Sequence, residues 1–180
     1  MLQSHRKIIT QVSNQIVDRY KKAKNVLGIF LIGSAARGVF DKYSDVDFFI
    51  VLAKQGKYRR EKYLTDTDFD VEILFNSLKE VKRYIKEEKM SIYRNTSHML
   101  ANGKVIYQIS PIVRQLQSTA LKNMKENTKY SNDEIVMHKY SLDDFLKDAR
   151  RDFAHNDTIA FHLDSYFLIQ NSIELLLKLS

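Results

Sequence analysis

Two aspartates, Asp45 and Asp47, stand two positions apart at the head of the apolar run Val46–Leu52. In a strand, side chains at i and i+2 leave the same face about 6.6 Å apart along the axis, so this pair can grip one cation together. A lone D-x-D is also what an ordinary solvated strand start looks like. Here it has company: the run Gly33-Ser34-Ala35-Ala36-Arg37-Gly38 lies just upstream. Its small residues let the backbone turn sharply into a short helix, exposing N–H groups that suit phosphate oxygens, and Arg37 adds a positive charge.

The elements that must position these groups can be read from periodicity. Ile8, Ile9, Val12, Ile16, Val17 and Tyr20 recur at helical spacing within residues 3–24, which predicts an amphipathic helix covering one side of a sheet. Val26–Ile32 and Val46–Leu52 are apolar runs too short for typical helices and predict buried strands. After a basic loop carrying Lys54, Lys57, Arg59, Arg60 and Lys62, residues 68–75 alternate. Phe69, Val71, Ile73 and Phe75 fall on one face of this third strand, with Asp70, Glu72 and Leu74 on the other. Ser77 and Glu80 have capping-box spacing, predicting a helix toward Lys89, and a further strand is expected at 104–108 after Asn102-Gly103. Beyond Pro111, the only proline, the pattern is helical at about 112–127, 133–153 and 157–179, with a second capping box at Ser131 and Glu134. The division expected is an α/β (α+β) domain over residues 1–110, with a mixed sheet flanked by helices, followed by an all-helical C-terminal domain over 111–180.

Composition narrows the chemistry. With no cysteine among 180 residues there is no disulfide framework and no thiolate ligand or nucleophile, which leaves carboxylates, His, Ser, Lys and Tyr. A net charge of +7, from 29 basic and 22 acidic residues, favours an anionic partner without choosing among nucleotide, nucleic acid and acidic surface. No aromatic-interleaved stacking platform accompanies the basic loop, so nucleic acid is not the partner expected. No run of about 18 apolar residues and no leader-like N-terminus is present, so the expectation is a cytoplasmic protein without a membrane partner.

The run GSAARGVFDKYSDVDFFIVL, which carries Gly33, Ser34, Asp45 and Asp47, resembles the signature of the DNA polymerase β-like nucleotidyltransferase superfamily. The resemblance is strongest to small bacterial members: minimal nucleotidyltransferases and the aminoglycoside and lincosamide enzymes. It covers the first 110 residues well and the rest loosely. It implies the nucleotidyltransferase fold and a third carboxylate on the next strand. VEILFNS resembles the stretch around the catalytic glutamate of kanamycin nucleotidyltransferase, which favours Glu72 as metal ligand or general base, with Asp70 the close alternative on the same face. Where the kanamycin enzyme has glutamate, this chain has Asp47, as other members of the superfamily do. The implied chemistry is metal-assisted nucleotidyl transfer. Asp45 and Asp47 would hold one or two Mg²⁺, and Gly33, Ser34 and Arg37 the triphosphate tail of ATP or another nucleoside triphosphate. Glu72 or Asp70 would accept a hydroxyl proton, and Ser44 and Lys42 are weaker candidates for triphosphate contacts.

The acceptor implied is a hydroxyl-bearing small molecule, an antibiotic-like compound first, with AMP the group transferred. The alternative is an antitoxin-type minimal nucleotidyltransferase that binds or modifies a partner protein. The C-terminal helices also resemble HEPN domains, and Arg150 and His155 have the spacing of the HEPN nuclease motif, but a helix cap or surface pair is the plainer use of both. His138 and His162 lack a second ligand at metal spacing. The closing run Ile173–Leu179 has apolar residues on several sides; a second copy in a homodimer, or further residues beyond a truncated end, are expected to cover it.

Overall fold

Val26–Ile32 forms β1 and Val46–Leu52 forms β2, the two strands that the apolar runs predict. The structure is a computed structural model that describes residues 2–41, 43–56, 59–63, 69–91, 93–126 and 130–179, with backbone alone for residues 2–5 and 90. The chain divides into two compact units, Met1–Glu126 and Asn127–Ser180.

The first unit runs α1 (Leu2–Tyr20), β1, α2 (Gly33–Arg37), β2, β3 (Arg60–Tyr63), β4 (Val71–Ser77) and α3 (Leu78–Glu87). A 3-10 turn (Glu88–Met90), α4 (Asn95–Asn102), β5 (Lys104–Gln108) and α5 (Ile112–Lys125) complete it. The strands lie in the order β3-β4-β2-β1-β5. β2 and β4 pair in parallel, while the β1–β2, β1–β5 and β3–β4 pairs are antiparallel, which makes the sheet mixed.

Alternation assigns the two faces. Ile29, Leu31, Phe48, Ile50, Val71 and Ile73 pack beneath Val12 and Ile16 of α1. Phe30, Ile32, Phe49 and Val51 point the other way, against Val81 and Ile85 of α3, Leu100 of α4, and Val113, Leu116 and Ala120 of α5. Each such side chain taken from water contributes roughly 1.5–3 kcal/mol, so β1 and β2, buried on both faces, anchor the unit. The α5 helix belongs to this unit by packing, although the change from strand to helix pattern comes earlier, at Pro111.

Two elements depart from the sequence expectation. The basic stretch ends in a strand, β3, paired antiparallel with β4, where a loop is expected. Residues 95–102 form α4, unforeseen because its first turn is satisfied from a distance: Glu88 Oε1 and Oε2 accept from the Thr96 and Ser97 amides at 2.7 and 2.8 Å. The third strand begins at Val71; Phe69 and Asp70 precede it and Asp68 lies outside the described residues.

In the second unit, α6 (Asn132–Ala154) opens on the predicted Ser131–Glu134 capping box. It turns through Asn156, whose φ of 56° is left-handed, into α7 (Thr158–Leu179), where the Asp157 carboxylate accepts from the Ala160 amide at 3.1 Å. Ile159, Leu163, Tyr166, Ile169 and Leu176 of α7 are exposed. No described helix is long and apolar enough to cross a membrane.

Asn123 closes the first unit. Fully buried on α5, it donates through Nδ2 to the Ile85 carbonyl at 3.1 Å and to Ser97 Oγ at 2.7 Å, joining α5 to α3 and α4. Asn123→Ala strands both acceptors in an apolar setting, and chemical denaturation of the full chain should show a loss of about 2 kcal/mol.

Candidate active site

The parallel register pairs Asp47 with Glu72, and Val46 with Val71. Paired residues in a sheet share a face, so both carboxylates point toward the layer of α3 to α5 at the end of the sheet where β2 and β4 begin. Asp45 and Asp70 stand one residue ahead of the ladder, and the Val46 amide donates to the Asp70 carbonyl at 2.9 Å. Asp45 is exposed, Asp47 half-buried, and the Glu72 side chain 20% exposed against 75% for Asp70. Burial pushes the Asp47 carboxyl above its usual range, and the negative charges of Asp45 and Glu72 push it the same way, with Arg60 partly opposing them.

Arg60, from β3, is the residue that sequence reasoning missed. Its Nε and Nη2 hold both oxygens of Glu72 in a two-pronged ion pair. Lys62, two residues on and on the same face, reaches Asp70 at 3.8 Å. In the antiparallel register Arg60, Glu61 and Lys62 lie opposite Leu74, Ile73 and Glu72, and the basic residues at 60 and 62 with acids at 70 and 72 are the charge pattern that would have marked the pairing. With Glu72 turned to Arg60, no three His, Asp or Glu among the described residues converge closely enough to hold one ion.

The Gly33-Ser34 turn abuts this cluster from β1. Gly33 has a φ of 69°, a left-handed backbone that favours glycine, and a Cβ built on it would lie 2.6 Å from Asp47 Oδ2, so a side chain here would turn the carboxylate aside. α2 starts here with no side-chain cap, and Gly38, at φ 78°, ends it. Arg37 is exposed at its last turn. Ser44 is occupied differently: its hydroxyl donates to Asp41 Oδ1 at 2.9 Å and accepts from the Asp41 amide at 3.1 Å, which braces the loop that delivers Asp45. Lys42 lies outside the described residues.

This strand–turn–strand unit, with acids at the head of the central strand, matches a known pattern along most of the chain. Residues 9–130 match the family described as nucleotidyltransferase domain. The chain belongs to that family. Among curated proteins none matches it. Among solved structures, it is similar to the nucleotidyltransferase-like protein from Exiguobacterium sibiricum 255-15, with a TM-score of 0.50 and 12% identity. That similarity covers 92% of this chain and 55% of the other, so the chain spans about half the length of that relative. At such identity the likeness is one of fold.

Within this nucleotidyltransferase domain the cluster is locally anionic although the chain is cationic. Asp47 holds its proton more tightly folded than unfolded, so its ionisation weakens the fold as pH rises through the folded pKa, and that loss disappears in acid. In chelator-treated protein, Asp47→Asn should melt above wild type at about pH 8, with the gap closing toward about pH 4. Gly33→Ala should displace Asp47 and reduce kcat/KM for nucleotidyl transfer by about 100-fold, with the chain still folded by circular dichroism.

Proposed function

We propose that this chain transfers a nucleoside monophosphate, AMP from ATP, to the hydroxyl of a small-molecule acceptor. The observation that supports this reading is the approach of the Gly33 turn to Asp47, which lies in register with Glu72 and feels the charges of Asp45 and Glu72.

The donor chemistry fits Mg²⁺. Carboxylate oxygens are the hard ligands this ion takes, few protein ligands suffice because it keeps waters and phosphate oxygens, and the pKa of Asp47, raised first by burial, is raised further by the negative charges of Asp45 and Glu72, which a cation would relieve. Asp45 and Asp47 would hold it, with Glu72 joining once Arg60 lets go. Bound there, the ion supplies charge neutralisation on the triphosphate. The backbone amides at Gly33 and Ser34, with Arg37, bind the phosphate tail. Glu72 accepts the proton of the acceptor hydroxyl as its oxygen bonds to the α-phosphorus and the bond to pyrophosphate breaks. Asp70, exposed and ahead of the ladder, is the weaker candidate for that role.

A second reading, adenylation of a partner protein, draws support from the exposed apolar residues of α7, which suit a protein surface better than a small acceptor.

Pyrophosphate release from ATP and Mg²⁺, assayed against a panel of aminoglycosides, lincosamides and simple polyols, tests the reaction. Asp45→Asn and Asp47→Asn should each lower turnover by about 1000-fold. Glu72→Gln should cost about 100-fold and Asp70→Asn less than about 3-fold. Turnover that survived the two aspartate changes would sink the proposal, and an AMP adduct found only on a co-purified protein would favour the second reading.

A further inference from the structure

On the sheet face opposite Asp47, between α1 and the sheet, lies a cavity of about 750 Å³. This is the size of a small-molecule site. α1 presents one stripe to it, at positions 6, 9, 10, 13, 14 and 17, which is the spacing of a single helical face. A stripe serving only to cover a sheet is apolar along its length, as Ile9 and Val17 are here. Between them stand Thr10, Ser13 and Asn14.

Ser13 is the informative one. The residue is 9% exposed and lines the cavity, and its hydroxyl makes no hydrogen bond among the described residues, so it is open to a polar atom of an occupant. Two cations, Arg6 from α1 and Lys104 from β5, line the same cavity, are exposed, and make no ion pair among the described residues. No acidic residue lines it among the described residues. Leu31, Phe40 and Ile106 supply an apolar floor.

We propose that this cavity is a second ligand site, separate from the carboxylate cluster, for a small amphipathic anion. The anion's carboxylate or phosphate head pairs with Arg6 and Lys104. Ser13 and Asn14 hydrogen-bond its polar atoms, and its apolar body lies on Leu31, Phe40 and Ile106. An apolar ligand alone would leave both cations unused, and an inorganic anion alone would leave the apolar floor wet.

Isoleucine methyl NMR of the full chain locates binding directly, because Ile9 and Ile106 line the cavity while Ile159 and Ile173 belong to α7. Octanoate, phenyl phosphate and octanol are the probes. Saturable shifts of Ile9 and Ile106 with octanoate or phenyl phosphate are expected, with octanol at least about 5-fold weaker; whichever anion binds tighter identifies the head group. Arg6→Gln with Lys104→Gln, both surface changes, should weaken the anions about 10-fold and leave octanol unchanged. Ser13→Leu, which pushes a bulky apolar group into the cavity from its wall, should weaken binding of both anions at least about 5-fold. Asp47→Asn should leave them intact, which separates this site from the nucleotide site. If Ile9 and Ile106 stay still, if octanol binds as tightly as octanoate, or if the Arg6 and Lys104 changes have no effect on the anions, the proposal is overturned.

Discussion

The parallel ladder between β2 and β4 is the constraint on which the rest of the first unit hangs. Among the described residues it is the one parallel pairing in an otherwise antiparallel sheet, and it fixes Asp47 opposite Glu72. Strand side chains alternate with a period of two, so the same register that aims these acids at one face sends Val46, Phe48, Val71 and Ile73 into the core on the other. A slip of one residue in either strand would turn its acid toward the α1 layer, among apolar side chains. The apolar residues of β2 and β4 therefore hold Asp47 and Glu72 in place as firmly as any contact among the acids themselves. β3 can reach β4 only as an edge strand, and that is what brings Arg60 to Glu72.

Gathering three carboxylates is unfavourable, and the sheet manages it by different means for each. Asp45 stays in water, Asp47 has its pKa raised, and Glu72 is neutralised by a guanidinium from the neighbouring strand. The Arg60–Glu72 pair places a fixed positive charge beside a cluster that would otherwise repel a polyanion. Global charge and local charge thus have opposite signs, which is why the chain's +7 carries so little information about the site.

Much of this was legible in the residues, and the failures have physical causes. β1 and β2 were readable because strands buried on both faces must be continuously apolar, and both capping boxes because their partners lie three residues apart. α4 was hidden because Glu88, outside the helix, satisfies its first amides, so no local cap announces it. β3 was hidden because three of its four residues are charged and Tyr63 alone packs on the core, so its strand conformation is imposed by β4. At the site, the spacing of Asp45 and Asp47 and the small residues of the turn were visible, while the role of Arg60 depends on a pairing between strands that no single segment encodes. Ser44 reads as a phosphate contact from its position, but its hydroxyl is spent on Asp41.

The close approach of Gly33 to Asp47 reaches beyond this molecule. A side chain at position 33 would push the Asp47 carboxylate aside, and the left-handed backbone disfavours such a side chain independently. The coupling therefore runs one way: a change at position 33 disturbs the acid, while loss of the acid still leaves a backbone that only glycine adopts readily. Among descendants of this sheet the glycine should thus outlast the aspartate, and its loss is the stronger sign that the turn itself has been rebuilt.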